Sequence, residues 1–204
     1  MRLPLPVASP AGATVFSVSG RPATVLTGLL WPSSGPLTAW APVFSTYEAD
    51  GSLRESETGG WIGPHPSRWL KVTKAGFVVG GFRVLVRTSP GTPQSRQVQV
   101  FWKPWQAGEA KGTVVESQAY GTAAGPKDEV KIIELRLPEG AVPTGLYGET
   151  LAGVVVQASL IVRLLPPPPA TDPAATPSPS RMRTPSLPQS PVVAPVAPLP
   201  PTPF

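Results

Sequence analysis

Apolar and polar residues alternate with a period of two along much of the first 165 residues. Phe82, Val84 and Val86 alternate with Arg83, Leu85 and Arg87. Val98, Val100 and Trp102 alternate with Gln97, Gln99 and Phe101, and Ile133, Leu135 and Leu137 with Glu134 and Arg136. This is the spacing of half-buried strands, because successive side chains of an extended chain point to opposite faces. Gly-Pro, Pro-Gly, Asp-Gly and Lys-Gly pairs stand between the runs and mark turns. No long stretch carries helical spacing between such breakers. The pattern predicts about eleven strands after residue 13, with one more from the N-terminal segment.

Three of the predicted strands open alike. "ATVLTGLLW" holds Val25, Gly28 and Leu29; "GFVVGGFRV" holds Val78, Gly81 and Phe82; "GAVPTGLYG" holds Val142, Gly145 and Leu146. The glycine reads as a point where the backbone bends or is approached closely. The apolar residues around it read as core. A second repeat, from Trp40 and from Trp102, aligns Pro42 with Pro104, Gly51 with Gly112, Glu55-Ser56 with Glu116-Ser117, and Gly63-Pro64 with Gly125-Pro126. Repetition at this scale marks a fold built from like units. The units read as residues 14–67, 68–129 and 130–165, the last completed by an N-terminal strand.

Three small antiparallel sheets around a pseudo-threefold axis, sharing one core, would satisfy these repeats; a jelly roll or other β-sandwich is the alternative. On the glycine motifs and the Trp-to-Gly-Pro repeat, residues 14 to 165 resemble the β-prism of jacalin-like lectins and of the vitelline-membrane outer-layer family. The resemblance implies an all-β head and a lectin-like binding role. Two departures stand out. The chain has no cysteine, whereas the vitelline-membrane family is cysteine-rich. The Gly-x-x-x-Asp sugar loop of jacalin-like lectins has no counterpart, for "GETLAG", Gly148 to Gly153, offers no aspartate.

Composition separates a head, 1–165, from a tail, 166–204. Of the 204 residues 30 are proline, and from Pro166 onward the chain is mostly Pro, Ala, Ser and Thr. Such a segment lacks the apolar area to offset an ordering cost of roughly 1–2 kcal/mol per residue. It reads as an extended polyproline-rich tail that docks on protein partners. No apolar run approaches the roughly 18 residues of a membrane-spanning helix, and Pro4 and Pro6 break the N-terminal apolar stretch, so no signal peptide is expected.

Candidate chemistry is sparse. With no cysteine and one histidine, His65, neither a cysteine- or histidine-rich metal site nor a Cys–His pair is available. His65 lies between prolines in a predicted loop. Glu48 with Asp50, and Asp128 with Glu129, are the carboxylate pairs, and each sits in a predicted turn. No cofactor, no metal and no catalytic residue is expected; the chain does not read as an enzyme.

Charge is more informative. The net charge is +5. Between Glu57 and Glu109 there is no acid, while Arg68, Lys71, Lys74, Arg83, Arg87, Arg96 and Lys103 all fall there. Arg83 and Arg87 should point outward beside Gln97 and Gln99, with Trp61, Trp69 and Trp105 in flanking loops. A basic, amide-rich face rimmed by tryptophan suits an anionic surface such as lipid headgroups or an acidic glycan. Nucleic acid ranks lower, because Phe101 alone is an outward aromatic on the strands. The first expectation is therefore a structural or binding protein of a larger assembly, a viral particle or cell envelope. The alternative is a lectin-like carbohydrate-binding module on a proline-rich stalk, with Tyr47, Trp61, Trp105 and Tyr120 stacking on sugar rings.

Overall fold

The structure, a computed structural model, describes residues 1–5, 8–89 and 94–164. The tail, 166–204, and the docking role expected of it lie outside these residues.

Twelve strands are described: β1 (Thr14–Ser19), β2 (Thr24–Pro32), β3 (Ala41–Tyr47), β4 (Leu53–Thr58), β5 (Trp69–Thr73), β6 (Phe77–Ser89), β7 (Gln94–Gln106), β8 (Glu109–Ala110), β9 (Val115–Gly121), β10 (Glu129–Arg136), β11 (Ala141–Leu151) and β12 (Val154–Leu164). They form three antiparallel sheets, ordered β4-β3-β2-β5, β10-β6-β7-β8 with β9 also on β7, and β1-β11-β12. The chain is thus an all-β, three-sheet head rather than a two-sheet sandwich. The N-terminus extends the last sheet: Arg2 bridges Ile161, and Leu3 N–H donates to Leu160 O at 3.0 Å.

The three glycine motifs occupy equivalent places. β2, β6 and β11 are each flanked by the following strand on one side and by an outer strand on the other. The register against the following strand shifts immediately before the glycine in every case: between Leu26 and Gly28, between Val79 and Gly81, and between Pro143 and Gly145. Such bulges bend a strand and increase its twist, which lets a flat sheet wrap toward its neighbours.

The glycines also admit the outer strands. A Cβ on Gly28 would stand 2.6 Å from Val72 O of β5, one on Gly81 2.1 Å from Leu135 O of β10, and one on Gly145 2.3 Å from Val18 O of β1. The motif's valine and large apolar residue are fully buried in all three copies. β2 packs against β6 and β11, and β12 against β7, so all three sheets line one core. Trp31, Trp40 and Phe82 cross it in edge-to-face contacts of 6.1 and 5.7 Å.

The Trp-to-Gly-Pro repeat does not follow this symmetry. Gly28 pairs with Val43 and Gly81 with Phe101, which makes Val43 and Phe101 the equivalent positions. Trp40 precedes Val43, whereas Trp102 follows Phe101. Nor do the sheets divide where the sequence units do. Trp69–Thr73, read as the opening of the middle unit, is the outer strand on β2, because Gly28 leaves room for its backbone.

Candidate binding site

The acid-free window of the sequence is not acid-free in space. Arg68, Lys71 and Lys74 lie on or beside β5, in the sheet centred on β2; Arg83 and Arg87 lie on β6, and Arg96 and Lys103 on β7. Lys71 Nζ pairs with Glu55 of β4, and Lys74 Nζ sits 4.9 Å from the Phe77 ring centre. Arg83 faces outward as expected, but β10 and β9 bring acids to it. Its Nη2 lies 2.8 Å from Glu134 Oε2 and its Nη1 3.7 Å from Glu116 Oε2, and Nη1 also donates to Gln99 Oε1 at 2.9 Å. Arg136 Nε contacts the other Glu134 oxygen at 2.6 Å.

The hydrogen bond from Arg83, then that from Arg136, holds the Glu134 carboxyl below the usual glutamate range. Both guanidiniums cover Phe101, at 5.4 and 4.4 Å from its ring centre. Phe101 is outward-facing yet wholly buried, and so contacts no ligand. Arg87 donates to Gln94 at 2.9 Å. Arg68 is exposed, while Arg96 and Lys103 are half-buried. The seven cations are spread over two sheets and form no single basic face.

The aromatic candidates behave similarly. Tyr47 packs at a tilt against the buried Trp105, ring centres 5.7 Å apart, and Tyr120 likewise against the buried Trp31 at 5.3 Å. Half-buried Trp61 covers Leu30, Ala41 and Val43, a small cluster on the far side of the sheet from the main core. Its ring meets His65 at 5.1 Å. Trp69, 51% exposed, is the one predicted aromatic contact that stands well out in solvent.

The carboxylate pairs serve their turns. Asp50 Oδ1 accepts from Ser52 N–H at 2.8 Å, and the hydrogen bonds to Ser52 lower its pKa. Glu48 pairs with Arg54 at 3.0 Å, and Asp128 accepts from Gly125 N–H at 2.8 Å. Among the described residues no group of three or more His, Cys, Asp or Glu side chains is placed to hold a metal ion, and no helix is long and apolar enough to cross a membrane.

A different site emerges where β6, β10 and β12 meet the segment before β1. Ala8, Pro10, Val86, Thr88, Lys131, Val156 and Gln157 line a cavity of about 270 Å³. Its walls are chiefly apolar, with Val86 and Val156 buried. One wall carries polar groups. Glu149 and Gln157 are cross-strand partners on β11 and β12, so their side chains share a face. Gln157 Nε2 donates to Glu149 Oε2 at 2.7 Å, and Ser9 Oγ donates to Oε1 at 2.5 Å. Glu149 is 4% exposed and Gln157 3%.

The hairpin carrying this pair turns on Ala152 and Gly153, with φ of 50° and 78°. That is the two-residue turn whose twist matches antiparallel strands. "GETLAG" is therefore strand and tight turn. Sequence reasoning missed Glu149, Gln157 and Lys131 as a group. One signal was present: Gln157 interrupts the apolar run "VVVQASLIV", and a polar residue inside a buried strand needs a partner.

No protein-family profile and no curated protein matches the chain. Among solved structures it is similar to Calsepa lectin in complex with a biantennary N-glycan, with 17% identity, 78% of this chain and 94% of that one covered, and a TM-score of 0.48. It is also similar to Calystegia sepium agglutinin, with 14% identity, 78% and 94% covered, and a TM-score of 0.43. A third is a prostate-specific WGA16 glycoprotein lectin, with 14% identity, 78% and 96% covered, and a TM-score of 0.42.

Proposed function

We propose that the head is a non-enzymatic carbohydrate-binding module and that the cavity beside Gln157 receives a sugar residue. The observation that carries this reading is the buried Gln157 amide, held by Glu149, on the lining of a chiefly apolar cavity. A sugar ring presents C–H faces and directional hydroxyls together. Its site needs apolar walls with a few fixed polar groups. Glu149 takes one amide N–H and so fixes which way the amide faces. Lys131 also lies on the cavity lining.

Hydrolysis of a sugar ordinarily needs two carboxylates across the bond; the residues lining this cavity include an amide and no carboxylate, and neighbouring Glu149 is held by Ser9 and Gln157. The anionic-surface reading is weaker than the charge sequence implied, since Lys71 and Arg83 are paired with glutamates.

The test is a glycan array with the full chain, followed by titration calorimetry on the best ligand. Ala8→Trp, at an exposed position on the cavity lining, should abolish saturable binding without unfolding the head, and Lys131→Met should weaken it. An array with no saturable ligand, or binding unchanged by both substitutions, would overturn the proposal.

A further inference from the structure

A second cavity, of about 210 Å³, lies between the first sheet and the β5–β6 turn. Its residues come from β2, β3, β4, the end of β5 at Thr73 and the turn Lys74–Phe77, with no part of the Gln157 cavity among them. Ser45 alternates with Val43 along β3 and therefore shares the sheet face turned away from the main core. Further along that face Leu30, Ala41 and Val43 form a buried apolar cluster under Trp61. At Thr27 and Ser45 the same face carries hydroxyls instead, although these residues are only 6% and 4% exposed. Their oxygens are 2.7 Å apart, and Thr27 Oγ1 also lies 3.4 Å from Val43 O.

Each hydroxyl has one hydrogen and two acceptor positions. The two hydrogens serve the two contacts present, so the pair retains acceptor capacity toward the cavity. Glu55, the cross-strand partner of Ser45, adds a carboxylate anchored by Lys71. Lys74 adds an ammonium donor above the Phe77 ring, and that ring forms an apolar wall.

The geometry points to a second carbohydrate subsite here, for a neutral polyhydroxylated ring. An anionic ligand would meet Glu55, and a cationic one would meet Lys71 and Lys74. A neutral sugar satisfies all the groups: its hydroxyl hydrogens go to Ser45, Thr27 and Glu55, its oxygens accept from Lys74, and its C–H face lies on Phe77. This inference rests on the carbohydrate reading and extends it. One chain with sites on two different sheets can cross-link glycans without a second copy.

The test is a titration of the isotope-labelled full chain, followed by amide NMR, with methyl glycosides of glucose, mannose and galactose. Two separate groups of saturable shifts are expected, one around Thr27, Ser45 and Phe77 and one around Val86, Val156 and Gln157. Thr27→Val, which keeps the shape and removes the hydroxyl, and Glu55→Gln should each weaken the first titration at least tenfold and leave the second unchanged. Shifts confined to the second group overturn this subsite and leave the proposed function standing. No shifts in either group overturn both. First-group shifts indifferent to both substitutions also overturn the subsite.

Discussion

Replacing Gly81 with alanine tests whether the three-sheet fold rests on close backbone approach at the motif glycines. The new Cβ would stand 2.1 Å from Leu135 O and 3.0 Å from Arg136 Cα, on a residue whose φ is +134°. An ordinary contact is about 3.5 Å, so β10 must retreat by roughly 1 Å. Hydrogen bonds near 2.9 Å do not survive that displacement. Losing about two of them costs about 2 kcal/mol, at about 1 kcal/mol each. Holding a side chain at this φ adds about 1–3 kcal/mol.

The expected loss is therefore about 3–5 kcal/mol, a large share of the 5–15 kcal/mol that typically holds a domain together. Urea denaturation followed by tryptophan fluorescence reads it directly. With a slope of about 2 kcal/mol/M, the midpoint should fall by about 1.5–2.5 M. Gly76→Ala is the control, because Gly76 has φ +74° but nothing within 4 Å of a Cβ. It should cost only the left-handed penalty of about 1–2 kcal/mol. Equal midpoints for the two variants would show that the approach of Leu135 is not what demands glycine.

Other outcomes follow from the same contacts. Ala152→Gly should raise stability by about 0.5–1 kcal/mol in the same urea assay, since alanine holds φ 50° in the hairpin turn. Trp61→Ala should lower it by about 2 kcal/mol, because it uncovers Leu30, Ala41 and Val43; a midpoint within error of the parent would refute the seal. Glu134→Gln should destabilise at neutral pH but not in acid. Arg83 and Arg136 depress the Glu134 pKa in the folded state. The stabilisation is thus present above the ordinary glutamate range and is lost as pH falls through the folded value. Parent and variant midpoints should converge as pH falls below the ordinary glutamate range, and a gap unchanged with pH would contradict the pairing.

Much of the fold was legible in the chain. Alternation is local: Phe82, Val84 and Val86 face inward whatever lies beyond them, so the strands could be read one at a time. The Val–Gly–apolar motif was legible as well, because each copy meets the same requirement for a bulge and a close neighbour. The longer Trp-to-Gly-Pro repeat misled because turn residues recur for local reasons and carry no register.

The site was not legible, and the reason is strand pairing. Which strand lies beside which depends on contacts between residues far apart in the chain, and no local pattern records them. Pairing of β10 and β9 with β6 and β7 placed Glu134 and Glu116 against Arg83. It dispersed a basic stretch that is continuous only in sequence. Packing across sheets set Tyr47 against the buried Trp105, and pairing within one sheet set Arg83 and Arg136 over Phe101. Only the tertiary structure set Lys131 and the segment at Ala8 and Pro10 around Gln157. The sequence determined which faces of each strand are apolar; the folded chain alone decided which polar groups meet, because a hydrogen-bonded pair such as Glu149 and Gln157 forms only once two strands have found their register.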